Sequence, residues 1–130
     1  MSLKIIAAVT AGGALGTLLR YIINLAALPS GYPYGTIIEN TGGSFILGGV
    51  TAWFLTKKAP EWVKVGIGTG FCGGLTTMST LASDTVMLAA RDASAPVIYL
   101  GMSIFGGLAA ALIGFYSVSF LLREKGGPSL

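Results

Sequence analysis

Apolar residues run through this chain in four long stretches, and polar residues gather in the short segments between them. The first stretch covers about residues 3–28, with Arg20 towards its far end, and stops at Pro29-Ser30-Gly31-Tyr32-Pro33, a run dense in turn formers. The second covers about 34–56 and closes on Lys57-Lys58-Ala59-Pro60-Glu61, with Trp53 and Trp62 suited to a membrane interface on either side. The third, about 62–90, would be about 43 Å long as one helix, more than the ~30 Å hydrocarbon core of a bilayer, so it must tilt or break. The expected break is Gly73-Gly74-Leu75-Thr76-Thr77, where paired glycines and hydroxyls interrupt a helix whose freed backbone groups are satisfied by protein or water. After Arg91-Asp92-Ala93-Ser94-Ala95-Pro96, the fourth stretch spans about 97–122 and ends in a polar tail from Arg123 to Leu130. The pattern predicts an all-α membrane protein of one domain, with four transmembrane helices and a broken third.

Composition strengthens that reading. Of 130 residues, 53% are hydrophobic and 10% charged, and the mean hydropathy is +0.78, outside the range of ordinary soluble domains. Twenty glycines suit membrane helices that approach through small side chains. Gly12 and Gly16, and likewise Gly66, Gly70 and Gly74, form small-xxx-small faces. The N-terminal Met-Ser-Leu-Lys and the apolar residues after it have the outline of a signal peptide, but no small-residue cleavage site leads into a polar chain, so the segment reads as a retained first span. Cys72 is the single cysteine, which excludes a disulfide framework and marks it as a small packed residue.

Charge sets an orientation. Four spans place both termini and the middle loop on one side, with Lys4, Lys57, Lys58, Lys64, Arg123 and Lys125. The other side has Arg91, plus Arg20 if its stem snorkels outward. The positive-inside rule then predicts cytoplasmic termini in a multi-pass protein of the cytoplasmic membrane. The net charge of +3 comes from scattered basic residues, so nucleic acid is not an expected partner; lipid is.

Charges at membrane depth are costly and carry functional hypotheses. Arg20 either snorkels or serves a vestibule or a partner contact. Glu39 is either a solvated carboxylate at the membrane edge or faces a watery vestibule. Asp84 is placed to pair with Arg20 or to cap exposed amides. Uncharged polar groups form a second set. Asn40 and Ser44 share a helical face, as do Tyr99 and Ser103, while Thr76, Thr77, Ser79 and Thr80 follow the glycines of the break. Any one Ser or Thr taken alone satisfies its own backbone more often than it lines a path. The absence of His, of a cysteine cluster and of paired carboxylates argues against an enzyme.

Three blocks then carry a family resemblance: Gly13-Ala-Leu-Gly-Thr-Leu-Leu-Arg20-Tyr21, Gly35-Thr-Ile-Ile-Glu-Asn40-Thr-Gly-Gly-Ser-Phe-Ile-Leu-Gly48, and Gly70-Phe-Cys-Gly-Gly-Leu-Thr-Thr-Met-Ser-Thr80. In order and spacing the chain resembles the Fluc (CrcB-type) fluoride channels over essentially its whole length. The resemblance implies a four-helix subunit that pairs antiparallel with a second copy or a sister chain, a dual-topology dimer passing fluoride and holding a central sodium ion. Carried over by position, the sodium carbonyls fall on Gly73 and Thr76. The pore asparagine falls on Asn40, the hydroxyls after the break on Ser79 and Thr80, the polar track of the last span on Tyr99 and Ser103, and the entrance arginine on Arg20. Two phenylalanines usual in the family are replaced by Met78 and Leu81, and Glu39 marks a further altered position. With the one-sided charge, these departures imply one member of a two-gene, heterodimeric channel. A small dual-topology multidrug or cation exporter, for which Glu39 would have to supply the membrane carboxylate, and a non-conducting assembly subunit are the alternative readings.

Overall fold

A computed structural model describes residues 2–125; the last five residues of the polar tail, 126–130, lie outside the described residues. All regular structure in the described part is helical. Helix α1 is Leu3–Ala27, followed by a 3-10 turn, Leu28–Ser30, with Pro29 in its first turn. Gly31 takes φ 68°, a left-handed conformation that costs glycine little, and turns the chain into α2, Tyr34–Thr56. Helix α3 covers residues 61–75 and is composite: an α-helical start, Glu61–Val65, a π-helical middle, Gly66–Cys72, and a last turn, Gly73–Leu75. The chain is not helical from Thr76 to Met78, then forms α4, Ser79–Ala89. Helix α5, Ala95–Lys125, is the longest. Before it, Asp92 accepts bonds from the Ser94 amide and hydroxyl, which hold its carboxyl below the usual carboxylate range.

The break lies later than the sequence suggests. Gly73 and Gly74 remain helical, and Thr76, with ψ 154°, is where the chain becomes extended. The reason is visible at Gly74, where a Cβ would collide with the backbone of Gly13. That glycine serves helix contact and not helix termination.

Glycine contacts fix the bundle. Along α1 and α3, Gly12 meets the Gly66 carbonyl, Gly16 meets Phe71, and Gly74 meets Gly13, so the two helices run parallel with backbone against backbone. Along α2 and α5, Thr41 meets Gly106, Gly48 meets Ala111 and Gly49 meets Val118, again in parallel, and Gly114 packs on the Phe45 backbone. Gly35 packs on Asn24 across the first turn, which makes α1 and α2 antiparallel. Arg91 donates to the Gly31 carbonyl at 3.1 Å and ties the α4–α5 loop to the α1–α2 turn. The chain therefore runs up, down, up through the broken segment, and down. The ends of α1 and α5 that carry Lys4 and Lys125 share one side with the α2–α3 loop.

The bundle is apolar outside and polar within. Leu15, Leu18 and Ile22 of α1 and Phe105, Leu108 and Phe120 of α5 are exposed, whereas Thr36, Glu39, Thr77, Asp84 and Ser103 are buried. A soluble monomer does not show continuous apolar surface of this kind; a bilayer provides its solvent. Two helical stretches among the described residues, Leu3–Ser30 and Ala95–Lys125, are long and apolar enough to cross a membrane alone. Helix α2 is diluted by glycines, Glu39 and Asn40, and the third apolar stretch is divided between α3 and α4.

The glycine contacts make a prediction. Gly48→Ala and Gly114→Ala each force a methyl into facing backbone and are expected to destabilise the protein by about 1–3 kcal/mol. Gly42→Ala meets nothing within 4 Å and is expected to be neutral or to gain up to about 1 kcal/mol of helix propensity. Unfolding of the three variants in detergent measures the difference.

Candidate functional site

A helix that stops inside a membrane leaves amides and carbonyls without partners, and there is no bulk water to take them. Residues 76–78 face that problem, and side chains from α1 and α2 meet it. Asn40 of α2 makes two hydrogen bonds to one residue: its Nδ2 donates to the Thr77 carbonyl at 2.9 Å, and its Oδ1 accepts from the Thr77 amide at 2.7 Å. The side-chain amide thus pairs with the backbone as a neighbouring strand would. Its planar group, with donor and acceptor side by side, matches an extended peptide in a way that Ser or Thr cannot.

The rest of the break is satisfied locally. Thr76 donates its amide and its hydroxyl to the Cys72 carbonyl at 3.0 and 2.9 Å. Its own carbonyl accepts from Arg20 Nη1 at 3.5 Å, at the outer limit of a hydrogen bond. Arg20 is half-buried and is turned towards the break instead of reaching away from it. The Thr77 hydroxyl accepts the Thr80 amide at 3.2 Å and so satisfies an orphan donor in the first turn of α4. It also donates to the Thr80 hydroxyl at 3.1 Å and lies 3.2 Å from that of Ser79. Because the Thr77 amide turns to Asn40, the Gly73 carbonyl loses the helical partner that it would otherwise have. Gly73 is exposed, with open space where a Cβ would stand.

Asp84 and Tyr99 form a second polar centre. Asp84 Oδ2 accepts from Thr36 Oγ1 at 2.6 Å and from the Tyr99 hydroxyl at 2.8 Å. The expected pairing of Asp84 with Arg20 or with free amides is therefore replaced by two hydroxyl donors, from α2 and α5. Thr36 was not singled out by sequence, although it stands four residues before Asn40 on the helix; its partner is distant in the chain, and no local pattern announces it. Tyr99 is wholly buried, packing edge-on against Tyr32 with ring centroids 6.1 Å apart. Ser103 donates to the Tyr99 carbonyl at 2.8 Å, the back-bonding habit of helical serines.

Two cavities flank these groups. One, of about 280 Å³, lies near the α1–α2 turn and is lined by Thr36, Thr80, Asp84 and Arg91 among others. The second, of about 650 Å³, opens on the break and is lined by Asn40, Ser44, Gly73, Thr76 and Ser103 among others. Met78 and Leu81 border the second cavity, but differ in setting: Met78 is 76% exposed, whereas Leu81 is 6% exposed and packs with Leu88 and Tyr99. Asn40, Ser44 and Ser103 thus share a cavity that Tyr99 does not line. Glu39 corrects both expectations placed on it. It has no exposed surface and meets neither the membrane edge nor open vestibule.

These bonds predict distinct effects on stability. Asn40→Ala leaves both backbone groups of Thr77 without their partner and is expected to cost about 1–3 kcal/mol; Asn40→Asp, which keeps one acceptor and loses the donor, is expected to cost a similar amount. In a double-mutant cycle, Thr36→Val and Tyr99→Phe are expected to be non-additive by about 0.5–2 kcal/mol, since they share Asp84. Thermal or denaturant unfolding in detergent checks both.

Comparison with known proteins agrees with this architecture along nearly the whole chain. The family described as "CrcB-like protein, Camphor Resistance (CrcB)" matches residues 7–115. The fluoride-specific ion channel FluC 2 of Halalkalibacterium halodurans is 49% identical over 124 residues, 95% of this chain and 92% of that protein. The FluC 2 channel of Bacillus subtilis is 42% identical over 88% of this chain and 87% of its own length. The FluC channel of Methanopyrus kandleri is 40% identical, with 84% and 85% covered. With a family match over most of its residues and relatives this similar over most of their length, the chain belongs to the CrcB/FluC fluoride-channel family.

Proposed function

We propose that this chain is a subunit of a fluoride-selective channel that lets fluoride leave the cell passively across the cytoplasmic membrane. The observation that carries the proposal is the 49% identity to a fluoride-specific ion channel over 95% of the chain. The chemistry is compatible. Fluoride is small and strongly hydrated, so a path must offer close donors in place of water without a fixed charge strong enough to trap the ion. Hydroxyls and amides do this, and Asn40, Ser79, Thr80, Tyr99 and Ser103 are the proposed lining, with Arg20 drawing anions towards the entrance. Asn40 has a second use, because the bonds that hold Thr77 still leave it one N–H and one lone pair.

In the proposed assembly the subunit crosses the membrane four times, over about 3–28, 34–56, 62–90 and 97–122, with its termini in the cytoplasm, and pairs antiparallel with a second chain. A sodium ion would lie centrally, held by the carbonyls of Gly73 and Thr76. The residues present fit such an ion. The Gly73 carbonyl has lost its helical partner on an exposed residue, and the Thr76 carbonyl keeps a lone pair beyond its long contact to Arg20. Sodium accepts neutral oxygen ligands, and two from each of two chains would make a set of four. When bound, the ion supplies positive charge that holds the two breaks together.

We further propose that the partner is a sister chain of opposite charge bias. Met78 and Leu81 stand where the family usually has phenylalanines, and a thioether or an aliphatic chain lacks the positive ring edge that meets an anion. The basic residues are also too one-sided for a chain that inserts equally in both orientations. Liposomes containing this chain with such a sister are expected to release fluoride and retain chloride, while this chain alone releases little. A fluoride electrode records the efflux, and protease protection reads the orientation. Rapid efflux from this chain alone, with protein found in both orientations, would overturn the obligate pair.

A further inference from the structure

Glu39 is the buried polar group that the preceding reading leaves without a task. Its residue is 0% exposed, and neither carboxyl oxygen has a hydrogen-bond partner among the described residues. Among the described residues the other buried polar side chains near it are bonded: Asn40 to Thr77, Thr36 and Tyr99 to Asp84, Thr77 to Thr80. An ionised carboxylate left in this state would lack both water and donors, at a cost of several kcal/mol.

Its position supplies the second observation. On α2, Thr36 lines the smaller cavity and Asn40 the larger. In the chain Glu39 follows Thr36 by one helical turn and precedes Asn40; it lines neither cavity itself and is buried beside the residues that do. The charged groups of the neighbouring elements are Arg20 of α1, turned to the Thr76 carbonyl, and Asp84 of α4, held by Thr36. Tyr99 of α5 reaches the same region through its bond to Asp84.

We propose that Glu39 is a proton-holding site between the two cavities, a neutral carboxylic acid whose O–H is a hydrogen-bond donor to the anion passing from one cavity to the other. The inference deepens the fluoride-channel reading and rests on it for the identity of the anion. A neutral acid meets the requirements of that place: it needs no counter-ion while the path is empty, and its O–H makes a strong bond to a small anion when one arrives. Raising the pH removes the proton, turning a donor into a negative charge on the path. Conduction is therefore present at low pH and lost as the pH rises through the ionisation of Glu39.

Two measurements test this on the reconstituted channel, one of them independent of flux. Dicyclohexylcarbodiimide adds to protonated carboxyls buried in membranes, and mass spectrometry locates the N-acylurea. Labelling at Glu39 is expected in the wild type, declining with rising pH, with none at this position in E39Q. Fluoride efflux, corrected for protein-free vesicles, is expected to fall by roughly tenfold per pH unit above the ionisation. E39Q, whose amide is a weaker donor without a titrating proton, is expected to conduct several-fold below the wild type at neutral pH and to show no pH dependence. E39L, which has no donor, is expected to lose efflux. Absence of label at Glu39 in the folded protein, when the unfolded chain is labelled, overturns the proton site. An E39Q profile as pH-dependent as that of the wild type overturns its role on the path. Wild-type vesicles with sister chain that pass no fluoride at any pH overturn the channel reading and the anion donor together, and labelling then decides the proton site separately.

Discussion

The structure depends on a single backbone being held open. Three residues, Thr76 to Met78, leave the helix within the bundle, and the Thr77 peptide finds both its partners on Asn40. Without that pairing an amide and a carbonyl would be stranded in a region of low dielectric, and the third crossing would gain by closing into a continuous helix. The other features of the break follow from the same constraint. The Thr77 hydroxyl satisfies the Thr80 amide, the Thr76 hydroxyl returns to Cys72, and Arg20 crosses from α1 to the Thr76 carbonyl. The Asn40 and Arg20 contacts require α2 and α1 to lie close to the break, and glycines allow that. Gly12, Gly16 and Gly74 bring α1 and α3 to backbone contact, and Gly48 and Gly114 do the same for α2 and α5.

Much of this was legible in the sequence, for reasons particular to each element. Helix α2 could be delimited because Pro33 and the Lys57-Lys58 pair bracket it with residues that cannot continue an apolar helix. The third crossing was recognisable as broken by its length. The expected break, residues 73–77, overlaps the observed one at Thr76 and Thr77, but its glycines stay helical, because paired glycines signal two things, a helix terminus and a close helix contact, and only the packing distinguishes them. Asn40 could be singled out as an amide without an obvious local partner, but not as the clasp of Thr77, since that bond depends on how two crossings are aligned. Glu39 was misplaced because its position, six residues into α2, suggests a membrane edge. The folded bundle leaves it no exposed surface. Thr36 carried no signal, because the acid it serves is on another helix.

The two polar centres also explain how a bundle so rich in exposed apolar residues stays specific. Contacts between apolar side chains gain little in lipid, because the solvent is equally apolar. What distinguishes the native arrangement is the polar interior: a misaligned α4 would strand Asp84, Thr36 and Tyr99 together, and a misaligned α2 would strand Thr77. Specificity is thus concentrated in a few hydrogen bonds, while the glycines determine how near the helices come.

The position of Arg20 sharpens the charge argument for a partner. If Arg20 reached the loop end of the bundle, it would join Arg91 and reduce the imbalance between the two ends. It faces Thr76 instead, and Arg91 is itself engaged with Gly31. Six basic residues at the end holding the termini are then opposed by Arg91 at the other, and insertion should favour one orientation strongly. A chain fixed in that orientation supplies half of the proposed antiparallel pair, and its breaks can face each other across a common centre only if another chain inserts the opposite way. In the proposed pair, the partner would differ from this chain in the charges of its loops while sharing its break.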